Sequence, residues 1–267
     1  MEQTKPLLLA IDAGNTNITI GVYEGQTLLK AFRLSTDVHR TADDYGIMLR
    51  VLLDKFRKNT YSWEGAVICS VVKNLADVLQ LACIQHLDIP ALVIHYRLKT
   101  GLRVLTDNPE ETGADRIVNA AAAYSIYGGP VVVVDLGTAT TFDVVSSKGE
   151  FLGGAIVPGL RVMADSLSTR TSLLPRIEIK MPQKAIGRNT VTAIQSGIFL
   201  GYIDMIIGMI HRIELELGQK PIVVLTGGYA GLFEEKNEIF RIIEPNLTLM
   251  GCKIIFDMNS DSLQQKK

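Results

Sequence analysis

The chain has 267 residues, 47% of them hydrophobic and 21% charged, with a net charge of −1 and a pI near 6.4. Such a composition supplies a packed core, so extended disorder is excluded, and the charge balance gives no reason to expect nucleic acid or an anionic membrane as partner. The length allows one large domain or two of about 130 residues each. Cys69, Cys83 and Cys252 are far apart in sequence without metal-ligand spacing, and they read as buried thiols of a reducing cytoplasm. MEQTKPLLLAID, at the start, lacks the pattern of a signal peptide, so a cytoplasmic location is expected.

In chain order, LLLAIDAGNTNITIGVYEG (7 to 25) reads as strand, tight polar turn and strand, with Asp12 at the end of the first apolar run and a third strand candidate, TLLKAF, beyond Gly25. Residues 40 to 56 follow with helical spacing of apolar positions 45, 48, 49, 52 and 56, and Thr41 with Asp44 gives a capping-box-like start. Lys55, Arg57 and Lys58 read as a solvated helix end. Residues 65 to 72 and 91 to 95 read as buried strands. A helix is expected over 115 to 127, stopped by Gly128-Gly129-Pro130.

VVVVDLGTATTFDVV (131 to 145) then repeats the opening pattern: apolar run, Asp135, glycine turn with Thr138, second strand, and a further strand candidate, FLGGAIV, after Gly149. A half-chain repeat of this kind implies two similar domains facing each other. A long helix is expected over 195 to 217, closed by Gly218, and a final strand over 221 to 228 enters the turn Thr226-Gly227-Gly228. The most apolar stretch within that helix, 197 to 210, holds Asp204 and falls short of a membrane span. Strands interleaved with helices define an α/β class, and the domain boundary is set at 1–117 and 118–267.

A turn of small residues exposes backbone N–H groups that can cradle phosphate oxygens, and a carboxylate at its edge can hold a cation bridging them. Neither the Walker nor the dinucleotide-binding glycine pattern is present. Asp12 and Asp135 are open to a second reading, as residues that merely tie their turns together.

DAGNT (12–16), GADR (113–116), DLGTATT (135–141), GRNT (187–190) and TGG (226–228), in this order, resemble a type III pantothenate kinase. The resemblance continues through GGAIVPGL (153–160) and NLTLMGCKIIF (246–256). It implies two ribonuclease H-like, actin-like ATPase domains related by internal duplication. The implied reaction is transfer of the γ-phosphoryl group of ATP to pantothenate, giving 4′-phosphopantothenate, the first step towards coenzyme A.

Carried over by residue, the resemblance makes Asp12, Ala13, Gly14, Asn15, Thr16, Asn17, Ile18 and Thr19 the first phosphate loop, with Asp12 near Mg2+. Asp135 corresponds to a ligand of a monovalent cation, K+ or NH4+, and Thr138 to an ATP contact. Gly113, Ala114, Asp115 and Arg116 match the pantothenate segment, in which Asp115 accepts the substrate's proton, and Thr190 matches a further substrate contact. Gly227 and Gly228 let the nucleotide approach the backbone, or make an ordinary turn. As a residue alone, Asp115 also reads as a helix N-cap, and Arg116 serves either the pantothenate carboxylate or the phosphoryl group.

The family also implies a homodimer, for which the long apolar helix is a suitable contact. Two departures stand out: Thr106 occupies the position of the family's usual Tyr, and Lys73-Asn74 replaces the usual Pro after SVV. A non-catalytic regulator on the same scaffold is the alternative, and it predicts lost acids, whereas Asp12, Asp115, Arg116 and Asp135 all stand. A third reading, a sugar or acetate kinase or a polyphosphatase, lacks GADR at a helix start.

Overall fold

The computed structural model describes residues 5–56, 61–234 and 238–260, so Arg57 and Lys58 of the basic cluster lie outside the described residues. In chain order the elements are β1 (Lys5–Ala13), β2 (Asn17–Glu24), β3 (Thr27–Ser35), α1 (Ala42–Leu52), β4 (Tyr61–Ser70), α2 (Leu75–Leu87), β5 (Ala91–Val93), β6 (Arg103–Val104) and α3 (Ala114–Tyr127). They continue with β7 (Val131–Leu136), β8 (Ala139–Val145), β9 (Glu150–Pro158), α4 (Leu160–Arg170), α5 (Thr190–Leu217), β10 (Ile222–Thr226), β11 (Ile242–Ile243) and α6 (Leu247–Asn259).

Two compact units result. One holds the chain up to Leu102, Asp107–Ala122 and the stretch from Leu247 on; the other holds Arg103–Thr106 and Ala123–Asn246. This corrects the expected division at 117/118. The change of unit falls inside α3, and the chain returns to the first unit at its end, because α6 carries Leu249, Cys252, Ile255 and Phe256 into that unit's core.

The first unit's sheet has the order β3-β2-β1-β4-β5, with β1 antiparallel to β2 and parallel to β4. β1 is buried on both faces, which is why it reads as a continuous apolar run. Leu7, Leu9 and Ile11 pack with Tyr45 and Leu49 of α1 and Leu79 and Cys83 of α2, whereas Leu8 and Ala10 pack with Val118 of α3 and with α6. The alternation follows from the two-residue period of a strand. α1 starts where the sequence predicts: Thr41 N–H donates to Asp44 Oδ2 (2.9 Å) and Asp44 N–H to Thr41 Oγ1 (3.3 Å). It ends sooner than expected, at Leu52, with a short 3-10 turn at Asp54–Phe56.

In the second unit the sheet order is β11-β10-β7-β8-β9-β6, with β7 antiparallel to β8 and parallel to β10. Apart from the edge strand β6, this repeats the first sheet strand for strand, so the repeat read from the two acid-bearing stretches extends to five strands of each half. Val132, Val134, Leu136, Phe142 and Val144 pack against Phe199, Tyr202, Ile206 and Ile210 of α5. α5 is longer than expected, 28 residues, and among the described residues it is the one helix long and apolar enough to cross a membrane by length and composition. Its packing of those four side chains into the core accounts for that apolarity.

Candidate active site

In the first unit Asp12 stands one residue before the end of β1, opposite Thr19 of β2 and Cys69 of β4. The turn is closed by Gly14 N–H donating to Asn17 O (3.0 Å) and braced by Thr36 Oγ1 donating to Gly14 O (2.6 Å). Thr36 N–H donates to Thr16 O (3.0 Å), and Ser70 Oγ to Ala13 O (3.3 Å). Asn15, Thr16 and Asn17 are exposed at its tip, whereas Ala13 and Ile18 are core residues. Of the expected phosphate loop, those two can therefore offer only backbone groups to a ligand.

Asp115 lies in the first turn of α3, not at its N-cap as the sequence reading had it, because Gly113 O already accepts the first helical bonds from Arg116 N–H (3.1 Å) and Ile117 N–H (3.3 Å). Asp115 Oδ1 accepts from Arg116 N–H (2.8 Å), so the carboxylate still serves the helix start. Gly113 leaves the carboxylate its place: a Cβ there would lie 2.6 Å from Asp115 Oδ1, so a larger residue would make that side chain shift. Burial raises the proton affinity of Asp115, opposed by the Arg116 N–H and the Arg116 charge.

Cys69 of β4 is in register with Asp12 of β1. It is fully buried, its thiol hydrogen-bonds with that of Cys252 on α6, and that bond, burial and the charges of Asp12 and Asp115 hold its pKa well above the usual thiol value. Val71, just beyond β4, donates its N–H to Ala13 O (3.3 Å) and lies beside Gly113, its Cγ1 3.7 Å from a Cβ built there, so the start of α3 sits next to the Asp12 hairpin. No spacing signal in the sequence announces Cys69 or Cys252 in this place.

The second unit repeats the device around Asp135, near the end of β7 and opposite Thr141 of β8 and Thr226 of β10. The turn is closed by Gly137 N–H donating to Ala139 O (3.2 Å), and Thr138 is exposed. Gly159, just before α4, donates its N–H to Thr138 O (3.0 Å). A Cβ at Gly159 would lie 2.3 Å from Gly137 O, so α4 starts directly on the turn.

Gly227 has φ +91°, and its Cβ would fall 2.4 Å from Asp135 Oδ1. The positive φ and this close approach account for a glycine at 227. Gly228 is exposed, and nothing lies within 4 Å of where its Cβ would be. Thr106 sits beside Gly153 of β9, with 3.6 Å between its Cγ2 and a Cβ built there.

Thr190 opens α5 behind the N-cap Asn189, whose Oδ1 accepts from Thr192 N–H (2.9 Å). It lines an open cleft of about 610 Å³ together with Leu167, Leu174, Arg188, Ile194 and Ile198. None of the other expected site residues lines that cleft.

Among the described residues no cluster of three or more His, Cys, Asp or Glu could form a metal cage. One carboxylate at each hairpin, with backbone oxygens beside it, fits instead a hard cation that keeps its waters and takes its remaining oxygens from phosphates. The close approach of Gly227 to Asp135 leaves that carboxylate its room.

Two sheets of one topology, each with an acid one residue before the end of its hairpin's first strand, define the duplicated actin-like class. Solved structures agree on the fold: a Campylobacter jejuni protein described as a Baf family transcriptional activator matches with TM-score 0.60 and 22% identity over 95% of this chain and 99% of that one. MreB 5 of Spiroplasma citri bound to AMPPNP matches with TM-score 0.55 and 11% identity over 99% and 100%. The family is given by sequence: a model of type III pantothenate kinases matches residues 8–212. The type III pantothenate kinases of Moorella thermoacetica and Gluconobacter oxydans are 45% and 46% identical over 95% of this chain and 100% and 94% of theirs. The chain belongs to the type III pantothenate kinase family.

Proposed function

We propose that this chain transfers the γ-phosphoryl group of ATP to the primary hydroxyl of pantothenate, giving 4′-phosphopantothenate and ADP. The observation that carries the mechanism is the closeness of the Asp12 hairpin and the start of α3 in the first unit: Val71 donates its N–H to Ala13 O (3.3 Å), and its Cγ1 lies 3.7 Å from a Cβ built on Gly113. Asp115 accepts the proton of the attacking hydroxyl as the new phosphorus–oxygen bond forms and the bridging oxygen leaves with ADP. Its raised proton affinity suits that role.

Arg116 offers a planar pair of donors to an anionic group of the substrate. Asn15, Thr16 and Asn17 at the tip of the first hairpin and Thr138 at that of the second offer donors to phosphate oxygens. Thr106 and Gly113 to Arg116 are assigned to pantothenate. Thr190 is too, with the apolar walls of its cleft suited to the substrate's methyl groups. Gly228 is assigned to the nucleotide. Mg2+ at Asp12 and K+ or NH4+ at Asp135 supply positive charge against the phosphates when bound.

The enzyme is read as a cytoplasmic homodimer. Gly197, Gly201, Asp204, Gly208 and His211 form an exposed stripe along α5 at alternating spacings of four and three, and a Cβ at any of the three glycines meets nothing within 4 Å. Such a stripe lets a second helix approach closely, which supports a contact there. The three buried free thiols suit a reducing compartment.

The test is phosphorylation of pantothenate by purified protein with ATP and Mg2+, with and without K+, beside Asp115→Asn. Potassium-stimulated turnover that the variant loses is the expected result. No turnover under any cation would sink the reading.

A further inference from the structure

The stretch VPGL (157–160), at the junction of β9 and α4, has a partner deep in the second unit. α4 begins after Gly159, which has no side chain to cap it, so the first N–H groups of that helix need acceptors from elsewhere. Tyr202 of α5 supplies one. Its hydroxyl oxygen accepts from Leu160 N–H and is hydrogen-bonded to Thr140 Oγ1, with both side chains fully buried. Thr140 follows the Asp135 turn directly in β8, in register with Leu136, the residue after Asp135. Gly159 closes the loop of contacts by donating to Thr138 O (3.0 Å). One phenol thus ties together the turn, the strand after it and the start of the helix that packs on it.

The geometry points to Tyr202 as a positioning residue for the Asp135 hairpin: its hydroxyl fixes Thr140 and α4 so that the hairpin holds a phosphate- and cation-binding shape. This rests on the assignment of that hairpin to ATP. Tyr202 touches no ligand in this scheme and acts through Thr140 and Leu160.

Tyr202→Phe removes the hydroxyl and keeps the ring that packs on Phe233 at 5.9 Å between centroids. The expected result is about tenfold weaker binding of a non-hydrolysable ATP analogue by equilibrium titration, a similar rise in the potassium concentration for half-maximal turnover, and an unchanged KM for pantothenate. Thr140→Val should give the same pattern, Thr140→Ser should restore near-normal binding, and the double variant Tyr202→Phe/Thr140→Val should be no weaker than either single one. Thr140→Val carries the test if Tyr202→Phe does not fold.

Unchanged analogue affinity in Tyr202→Phe would overturn the inference. So would parallel losses in ATP affinity, pantothenate KM and melting temperature, which would mean that the hydroxyl only stabilises the core. If the intact protein binds the analogue but does not phosphorylate pantothenate, the substrate reading fails and the titration still decides the role of Tyr202.

Discussion

The carboxylate of Asp115 feels burial, which raises its proton affinity, and the Arg116 N–H and guanidinium, which lower it; burial dominates. The folded-state pKa therefore lies above the ordinary 3.8, and the charged form is the one disfavoured in the native protein. The resulting stability is full below the unfolded value and is lost as pH rises through the folded one. Asp115→Asn should thus melt above the intact protein at neutral pH, with the gap closing under acid, while turnover falls about 10²–10⁴-fold. Equal melting curves at neutral pH would contradict this. The glycine pair makes a second comparison. Gly227→Ala forces a side chain into φ +91° and against Asp135 and should destabilise the second unit, whereas Gly228→Ala meets open space and should leave melting unchanged but weaken ATP binding if the nucleotide passes there. At this scale Asp12 and Asp135 were legible because each ends an apolar run, whereas Asp115 stood out only through the resemblance of GADR. Cys69, Cys252 and Tyr202 were not, since a buried thiol or a core tyrosine looks the same wherever it is used.

Both hairpins could be read from strand periodicity broken by small residues, and the start of α1 from Thr41 and Asp44. Thr41→Ala should cost about 1 kcal/mol in urea unfolding, since it deletes the oxygen that accepts Asp44 N–H. α2 and α6 escaped the sequence reading for opposite reasons. α2 has Asn74 at its N-cap with φ +63° and no side-chain cap, so no start signal precedes it. α6 is buried nearly all round, with Leu247, Leu249, Cys252, Lys253, Ile255 and Phe256 inside, so no one-sided apolar stripe marks it as a helix. The length of α5 was underestimated because Thr190 to Ile194 look like loop until Asn189 and Thr192 are seen to cap each other.

For the whole chain, the repeat gave the two-unit plan, but not the return of α6 to the first unit, which rests on contacts far apart in sequence. Gly251 of α6 shows how tight that contact is: a Cβ there would lie 2.2 Å from Val118 O of α3. Removing the chain from Leu247 onward should therefore unfold the first unit while the second keeps its slow-exchanging amides, measured by hydrogen exchange. Loss of protection mainly in the second unit would contradict the division. Gly201→Arg and Gly208→Arg should shift a dimer to monomer in sedimentation without lowering the melting temperature of the monomer.

The place of α6 also sets an order of events on the ribosome. The strands that it covers emerge early, yet their partner is translated only after the whole second unit, a delay of roughly 6–25 s at about 5–20 residues/s. During that interval the face of the first sheet that will receive Phe256 has only the first half of α3 to cover it, and the unit made first is the last to be finished.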